Sequence, residues 1–350
     1  MQQLTARQPL GQTGLDIPPI VFGSSCLGNL YQAIPYETKL AIAREWVSCV
    51  QQPVIDSAGK YGAGLALEAI GACLRDLGVR PGDVMISNKL AWKRIPLTTP
   101  EPTFEPGAWI GLEHDAEQDI SYSGILECYE QGCDLLGDYA PEVVSVHDPD
   151  EYLAQAETDD ERKARFDDVL GAYQALGELK AKGHVKAVGV GSKDWAVIRE
   201  LADATELDWA MFACSLTIMK HPLELLTFMA DLEQRGIAMI NSAVFNAGFL
   251  TGGAYFDYRV VDEDDEKDQP LFRWREEFFA ICKRHSVSAA EACVQFGLSV
   301  PGVLSVALNT GKPRRVSQNV TAVQAQIPTE FWAEMKETKL IAADYPYLGC

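Results

Sequence analysis

Eight short β-branched or apolar runs recur along the chain, most of them separated by stretches of helical periodicity, and this alternation limits the possible folds more than any other feature. The runs are Pro19–Gly23, Val54–Asp56, Val84–Lys89, Val143–His147, Ala187–Gly191, Trp209–Cys214, Ala238–Val244 and Val303–Leu308. Between them, Leu40, Ala43, Val47 and Val50 predict one helix face, Ile70, Cys73, Leu74 and Leu77 a second, and Leu225, Met229 and Leu232 a third. Such repeats build parallel sheets through right-handed crossovers. Eight of them close a (β/α)8 TIM barrel better than they extend an open sheet, and α/β barrels run past about 250 residues as one unit. Residues 1–350 are therefore expected to form one domain.

Three predicted strands end on side chains with acid–base chemistry. Asp56 closes Val-Ile-Asp, Lys89 closes Ile-Ser-Asn-Lys and His147 closes Val-Ser-Val-His; Tyr61 follows Asp56 in a Gly-rich loop. Barrel active sites form at the carboxyl ends of strands. A carbonyl reduced by hydride must take up a proton, and a phenol supplies it readily only if its pKa, about 10 when free, moves toward neutrality. A cation about 4 Å away at an effective dielectric of about 20 is worth roughly 4 kcal/mol, or about three pKa units. Lys89 is thus expected to acidify Tyr61, Asp56 to keep Lys89 charged and aimed, and a neutral His147 to orient the substrate oxygen. Singly, these residues read as a turn cap, a packed aromatic and a snorkelling lysine. Together they outline a redox acid–base site.

The formal charge of −20 argues against nucleic acid and anionic membranes as partners, because counterion release needs a basic face. No apolar run has the length of a membrane span or a signal peptide core, so a cytoplasmic location is expected. Nine cysteines without a Cys-x-x-Cys, among them Cys49, Cys73, Cys214 and Cys293 in apolar patterns, read as reduced, packed thiols. Asp148 and Asp150 beside His147 do not make a metal site without further histidines, and His114, His184, His221 and His285 fall in loops or near helix ends. Three long connections, Ala91–Ile120, Pro149–Asp160 and Asn246–Pro270, suggest lids or substrate walls, with Trp92, Trp109, Phe245 and Tyr255 as candidate wall residues. The Asp262–Asp268 acidic run reads as a solvated loop.

Read together, these segments resemble the aldo-keto reductase superfamily. Leu10-Gly-Gln-Thr-Gly-Leu before Phe22-Gly resembles its N-terminal β-hairpin and first strand, and Asp56, Tyr61-Gly, Lys89 and His147 resemble its catalytic tetrad in order and spacing. Asn241-Ser-Ala-Val-Phe-Asn-Ala-Gly-Phe-Leu-Thr-Gly and Pro313-Arg-Arg-Val-Ser-Gln-Asn resemble its seventh strand with the following loop and its cofactor-binding helix. His147-Asp-Pro-Asp is most similar to the aldose 1-dehydrogenase branch, which includes L-fucose and D-threo-aldose dehydrogenases, with pyridoxal dehydrogenases nearby.

The resemblance implies an NAD or NADP cofactor lying across the barrel mouth without a Rossmann fold, and the chain has no Gly-x-Gly-x-x-Gly after a strand. It places cofactor contacts at Ser192, Lys193 (where the family usually has Asn), Leu216 (in place of a stacking Tyr) and Ser242. Lys312, Arg314 and Arg315 form a basic cluster at the start of a helical pattern, suited to an anionic cofactor, with Gln318 and Asn319 as adenine contacts. Gly311 stands where many relatives carry the Arg that reads the 2′-phosphate, which puts NAD ahead of NADP. The implied activity is hydride transfer between nicotinamide and C1 of an aldose or a similar small aldehyde. A non-catalytic barrel binding NAD(P) as a sensor or partner subunit is the alternative, and a metal-dependent barrel hydrolase is disfavoured by the scarcity of strand-end histidines.

Overall fold

The eight predicted strands pair in parallel and close on themselves. The computed structural model describes residues 3–348, and its barrel strands are β1 (Ile20–Gly23), β2 (Val54–Ala58), β3 (Met85–Leu90), β4 (Val143–His147), β5 (Ala187–Ser192), β6 (Trp209–Ala213), β7 (Ala238–Ser242) and β8 (Val303–Asn309). Each pairs with its sequence neighbours and β8 returns to β1, with Val306 opposite Ile20. A two-stranded hairpin, Gln8–Pro9 with Asp16–Ile17, precedes β1. Its Leu10, Leu15 and Ile17 pack with Val21, Val54, Met85, Val143 and Trp209, so the hairpin plugs the end of the barrel where the strands begin.

Alternation along the strands decides what faces inward. Val54, Met85 and Val143 belong to the interior cluster, whereas Ile55, Ile86 and Val144 join the outer cores against the helices. Side chains two apart share a face, so Asp56 follows Val54 inward, Lys89 follows Met85 and Ser87, and His147 follows Val143 and Ser145. The apolar layer at one end of the barrel thus gives way to a polar layer at the other. Trp209 fills the middle only because its neighbour in the sheet is Gly189, where a Cβ would meet the indole ring at 2.3 Å.

Helices α1 (Tyr36–Cys49), α2 (Leu65–Asp76), α3 (Tyr122–Leu136), α4 (Asp159–Ala181), α5 (Trp195–Ala204), α6 (Leu223–Gln234), α7 (Ala289–Gly297) and α8 (Pro313–Ala322) follow the strands. The predicted faces of α2 and α6 are buried apart from the half-buried Leu77, but α1 is rotated. It buries Lys39, Ile42, Ala43, Trp46 and Cys49, because Trp46 stacks on Phe22 of β1 at 5.9 Å and leaves Leu40 and Val47 half-buried.

The three long connections contain regular structure. Trp92–Pro96 and His114–Gln118 form an antiparallel hairpin, Pro149–Ala154 is a short helix, and Tyr255–Phe256 pairs with Arg259–Val260. Two further helices, Gln269–His285 and Thr329–Glu337, pack on each other outside the barrel. Among the described residues no helix is long and apolar enough to cross a membrane. Eight cysteines are free thiols; Cys350 lies outside the described residues.

Candidate active site

Asp56 and Lys89 meet at the carboxyl ends of β2 and β3, both about 3% exposed. The Lys89 ammonium contacts Asp56 Oδ2 and donates to the Ser57 carbonyl at 3.3 Å, while Ser87 Oγ donates to Asp56 Oδ1 at 3.1 Å. Every strong partner of this ion pair lies on the two strands that present it, so its geometry is fixed by the barrel itself.

Tyr61 comes from the loop after β2. That loop is threaded tightly: a Cβ on Gly28 would meet the Tyr61 carbonyl at 2.7 Å, and one on Gly59 would meet the Trp92 carbonyl at 2.1 Å. Gly62, at φ +63°, lets the chain turn back toward α2. The Lys89 Nζ lies 4.9 Å from the Tyr61 ring centroid, and the His147 ring stands edge-on to the same phenol at 5.6 Å and 85°. Asp56, Tyr61, Lys89 and His147 are therefore brought together.

The electrostatics depart from expectation at the phenol. Burial, and then the carboxylates of Asp56 and Asp148, hold the Tyr61 pKa well above the usual phenol value, against the opposing Lys60. At the resting phenol the shift thus runs opposite to the acidification expected from Lys89, and the Asp56 carboxylate that touches the ammonium acts in the raising direction. His147 moves the other way. Burial, followed by the charges of Lys89 and Lys60, pushes its pKa well below the usual imidazole range, so the ring is neutral near pH 7. Its Nε2 lies 3.4 Å from Asp148 Oδ2, and its Nδ1 is buried without a partner.

Tyr61, Lys89 and His147 open into a cavity of about 360 Å³. Tyr31, Trp109 and Tyr258 supply aromatic walls, and Lys60, Glu105 and Asp148 a charged rim. Of the four aromatics singled out from sequence, only Trp109 lines it. Trp92 lies under the Lys60 ammonium at 5.1 Å, Tyr255 stacks on Tyr31 at 4.8 Å, and Phe245 packs against the outer cores.

The other predicted positions divide. Ser192, Lys193 and Ser242 line the cavity; Ser192 Oγ donates to the Asp194 carbonyl at 3.2 Å, and Ser242 Oγ to the Phe212 carbonyl at 3.1 Å. Leu216 does not. It is fully buried in the outer core, because β6 ends at Ala213 and Cys214, at φ +57°, turns the chain away; Met211 and Ala213 form the wall instead. Lys312, Arg314, Arg315 and Gln318 are exposed at the start of α8, and Asn319 is half-buried. The first turn of α8 contains no acidic residue. Among the described residues, no three His, Cys, Asp or Glu side chains are grouped to hold a metal ion. Sequence reasoning missed Lys60 and Tyr258, whose place in the cavity depends on partners far away in the chain.

A family model for the aldo/keto reductase family matches residues 19–339. The chain is 26% identical over 349 residues to pyridoxal 4-dehydrogenase of Microbacterium luteolum, covering 96% of this chain and 98% of that protein. It is 27% identical over 348 residues to D-threo-aldose 1-dehydrogenase of a Pseudomonas species, covering 94% and 96%. The solved structure of an aldo-keto reductase from Bacillus halodurans in its holo form superposes with a TM-score of 0.69 at 20% identity, covering 96% of each chain.

Proposed function

The chain belongs to the aldo/keto reductase family, and from that premise we propose that it is a nicotinamide-dependent oxidoreductase acting at C1 of an aldose or on a similar small hydroxylated aldehyde. The observation that carries this reading is the convergence of Tyr61, Lys89 and His147 on one cavity, with Asp56 seated on Lys89. Bound nicotinamide would supply the hydride acceptor or donor. In oxidation Tyr61 Oη takes the C1 hydroxyl proton and the product is a lactone; in reduction it returns a proton to the carbonyl oxygen. The Lys89–Asp56 pair holds the floor beneath the phenol, and neutral His147 orients the substrate oxygen.

The small residues Gly191, Ala213 and Ser242 leave room for a flat ring at the cavity floor, and the cationic start of α8 suits the anionic end of a dinucleotide. Gly311 favours NAD over NADP. Aromatic faces beside a charged rim suit a polyhydroxylated ring, and the named substrates of the two curated relatives, an aldose and pyridoxal, are both small hydroxylated aldehydes. The free, mostly buried cysteines support a reducing, cytoplasmic location.

The test is a panel of aldoses, pyridoxal and simple aldehydes with each dinucleotide, followed at the reduced nicotinamide absorbance. Aldose oxidation with NAD is the expected result. Binding of reduced nicotinamide without turnover on any member would favour a sensor barrel and overturn the catalytic reading.

A further inference from the structure

Lys60 is a second buried ammonium in the cavity wall, 4% exposed, and the chemistry above does not use it. Three carboxylates from two other connections meet it: Glu105 Oε1 at 2.8 Å, Glu151 Oε2 at 3.0 Å and Asp148 Oδ2 at 3.2 Å. Glu105 belongs to the segment 97–113 between the two strands of the Trp92–Gln118 hairpin, and Asp148 and Glu151 follow β4. One side chain from the loop after β2 thus joins the loops after β3 and β4.

The tie reaches the substrate side. The second Glu105 oxygen accepts the Trp109 indole N–H at 2.7 Å, and the Trp109 ring stands 5.9 Å from that of Tyr61. Glu105 sits at φ +42°, a conformation that costs a residue with a Cβ and persists only where its surroundings hold it. Without the ammonium, Glu105, Asp148 and Glu151 would face one another with only Lys193, 2.6 Å from Glu151, to offset them. Like charges gathered around one point repel, and of the three carboxylates Glu105 is the one carried by a segment outside helix and strand.

We propose that Lys60 is a positioning residue that ties segment 97–113 across the cavity mouth, holding Trp109 against Tyr61 and so setting affinity for the substrate. The effect on affinity rests on the reading that this cavity binds substrate; the tie itself does not. Lys60→Met keeps the aliphatic stem and removes the charge, Lys60→Arg restores it, and Glu105→Gln weakens the tie from its more exposed end.

Two measurements test the tie on the full chain. Amide hydrogen exchange without cofactor or substrate should be faster across 97–113 by about tenfold or more in Lys60→Met and Glu105→Gln, unchanged in β2 and β3, and restored in Lys60→Arg. Kinetics on the substrate found by the panel should show KM raised about tenfold in Lys60→Met with a smaller change in kcat, and partial rescue in Lys60→Arg. Unchanged exchange in segment 97–113 of Glu105→Gln and of a folded Lys60→Met overturns the tie, whatever the activity. Faster exchange with an unchanged KM overturns its link to affinity. If the wild-type protein turns over nothing on the panel, the functional reading fails while exchange still decides the tie.

Discussion

The Lys89 ammonium lies over the face of the Tyr61 ring, 4.9 Å from its centroid, with Asp56 taking up its charge. Burial comes first in raising the Tyr61 pKa, and the Asp56 carboxylate seated on that ammonium comes second. At rest Tyr61 is a neutral acid with a proton to give. Its partner in proton transfer is the substrate oxygen that enters the cavity, and the first expectation concerns that proton.

Tyr61→Phe removes one oxygen and keeps the ring that packs against Trp109 and His147. Turnover should fall by roughly 10²–10⁴-fold, the usual share of a general acid–base group. Cofactor affinity, read by quenching of protein fluorescence, should stay within about threefold, because the lost oxygen contributes only to the acid–base step. Unimpaired turnover would remove Tyr61 from its assigned role.

The raised phenol pKa also sets the pH dependence of the two directions. Oxidation needs the phenolate, a small fraction near pH 7 that grows about tenfold per pH unit below the pKa. The oxidative rate should therefore climb through the range from about pH 7 to 10, while reduction, which uses the protonated phenol, holds level over the same range. The climb should vanish in Tyr61→Phe. A plateau in the wild-type oxidative rate beginning near neutrality would mean that the phenol is acidified after all.

Much of this arrangement was legible in the sequence because it follows from a period of two. Once Val54, Met85 and Val143 are read as inward, Asp56, Lys89 and His147 must face the same way. What the sequence hid depends on distant partners. Lys60 looks like an ordinary loop lysine until Glu105, Asp148 and Glu151 surround it, and the raised Tyr61 pKa depends on burial and on carboxylates that only the fold brings to the phenol. Leu216 was misplaced by a single turn at Cys214, a residue with no intrinsic tendency toward positive φ. The strand Trp92–Pro96 is half-buried nearly throughout and lacks the alternation that marks a strand.

The Asp56–Lys89 pair should show the asymmetry of buried charges. Asp56→Asn or Lys89→Met alone leaves one group without its partner in an enclosed site, at a cost of about 3–5 kcal/mol in unfolding free energy. The double variant removes both charges and should lose less than the sum of the two singles. Urea unfolding midpoints at pH 7.5 measure all four corners of the cycle. Additive losses would mean that the two groups act independently.

His147 links stability to acid. Its folded pKa lies below the unfolded value of about 6.5, so the unfolded chain takes up the proton first as pH falls. This contribution is complete above about pH 6.5 and is lost on acidification, with a slope of at most about 1.4 kcal/mol per pH unit. His221, shifted the same way chiefly by burial, adds a similar loss. The difference in unfolding free energy between pH 7.5 and 5.5 should therefore shrink in His147→Asn and shrink further when His221→Asn is added. An unchanged difference in the double variant would contradict the assigned shifts.

Gly28 offers a test of position without touching a reacting group. It closes the one-turn helix Ser25–Gly28 after β1, and a Cβ there would come within 2.7 Å of the Tyr61 carbonyl and 2.9 Å of the Gly62 nitrogen. Backbone atoms cannot swing aside as a flexible side chain can, so Gly28→Ala must displace the loop that carries Tyr61. A misplacement of about 1 Å at a reacting group costs on the order of 10²-fold in rate, and kcat/KM should fall by about that much. Gly177→Ala is the control: it lies within α4, a Cβ there meets nothing within 4 Å, and alanine favours helix. That variant should gain about 0.5–1 kcal/mol of stability with activity unchanged. Equal activity in the two variants would show that the tight passage beside Gly28 does not govern where the phenol stands.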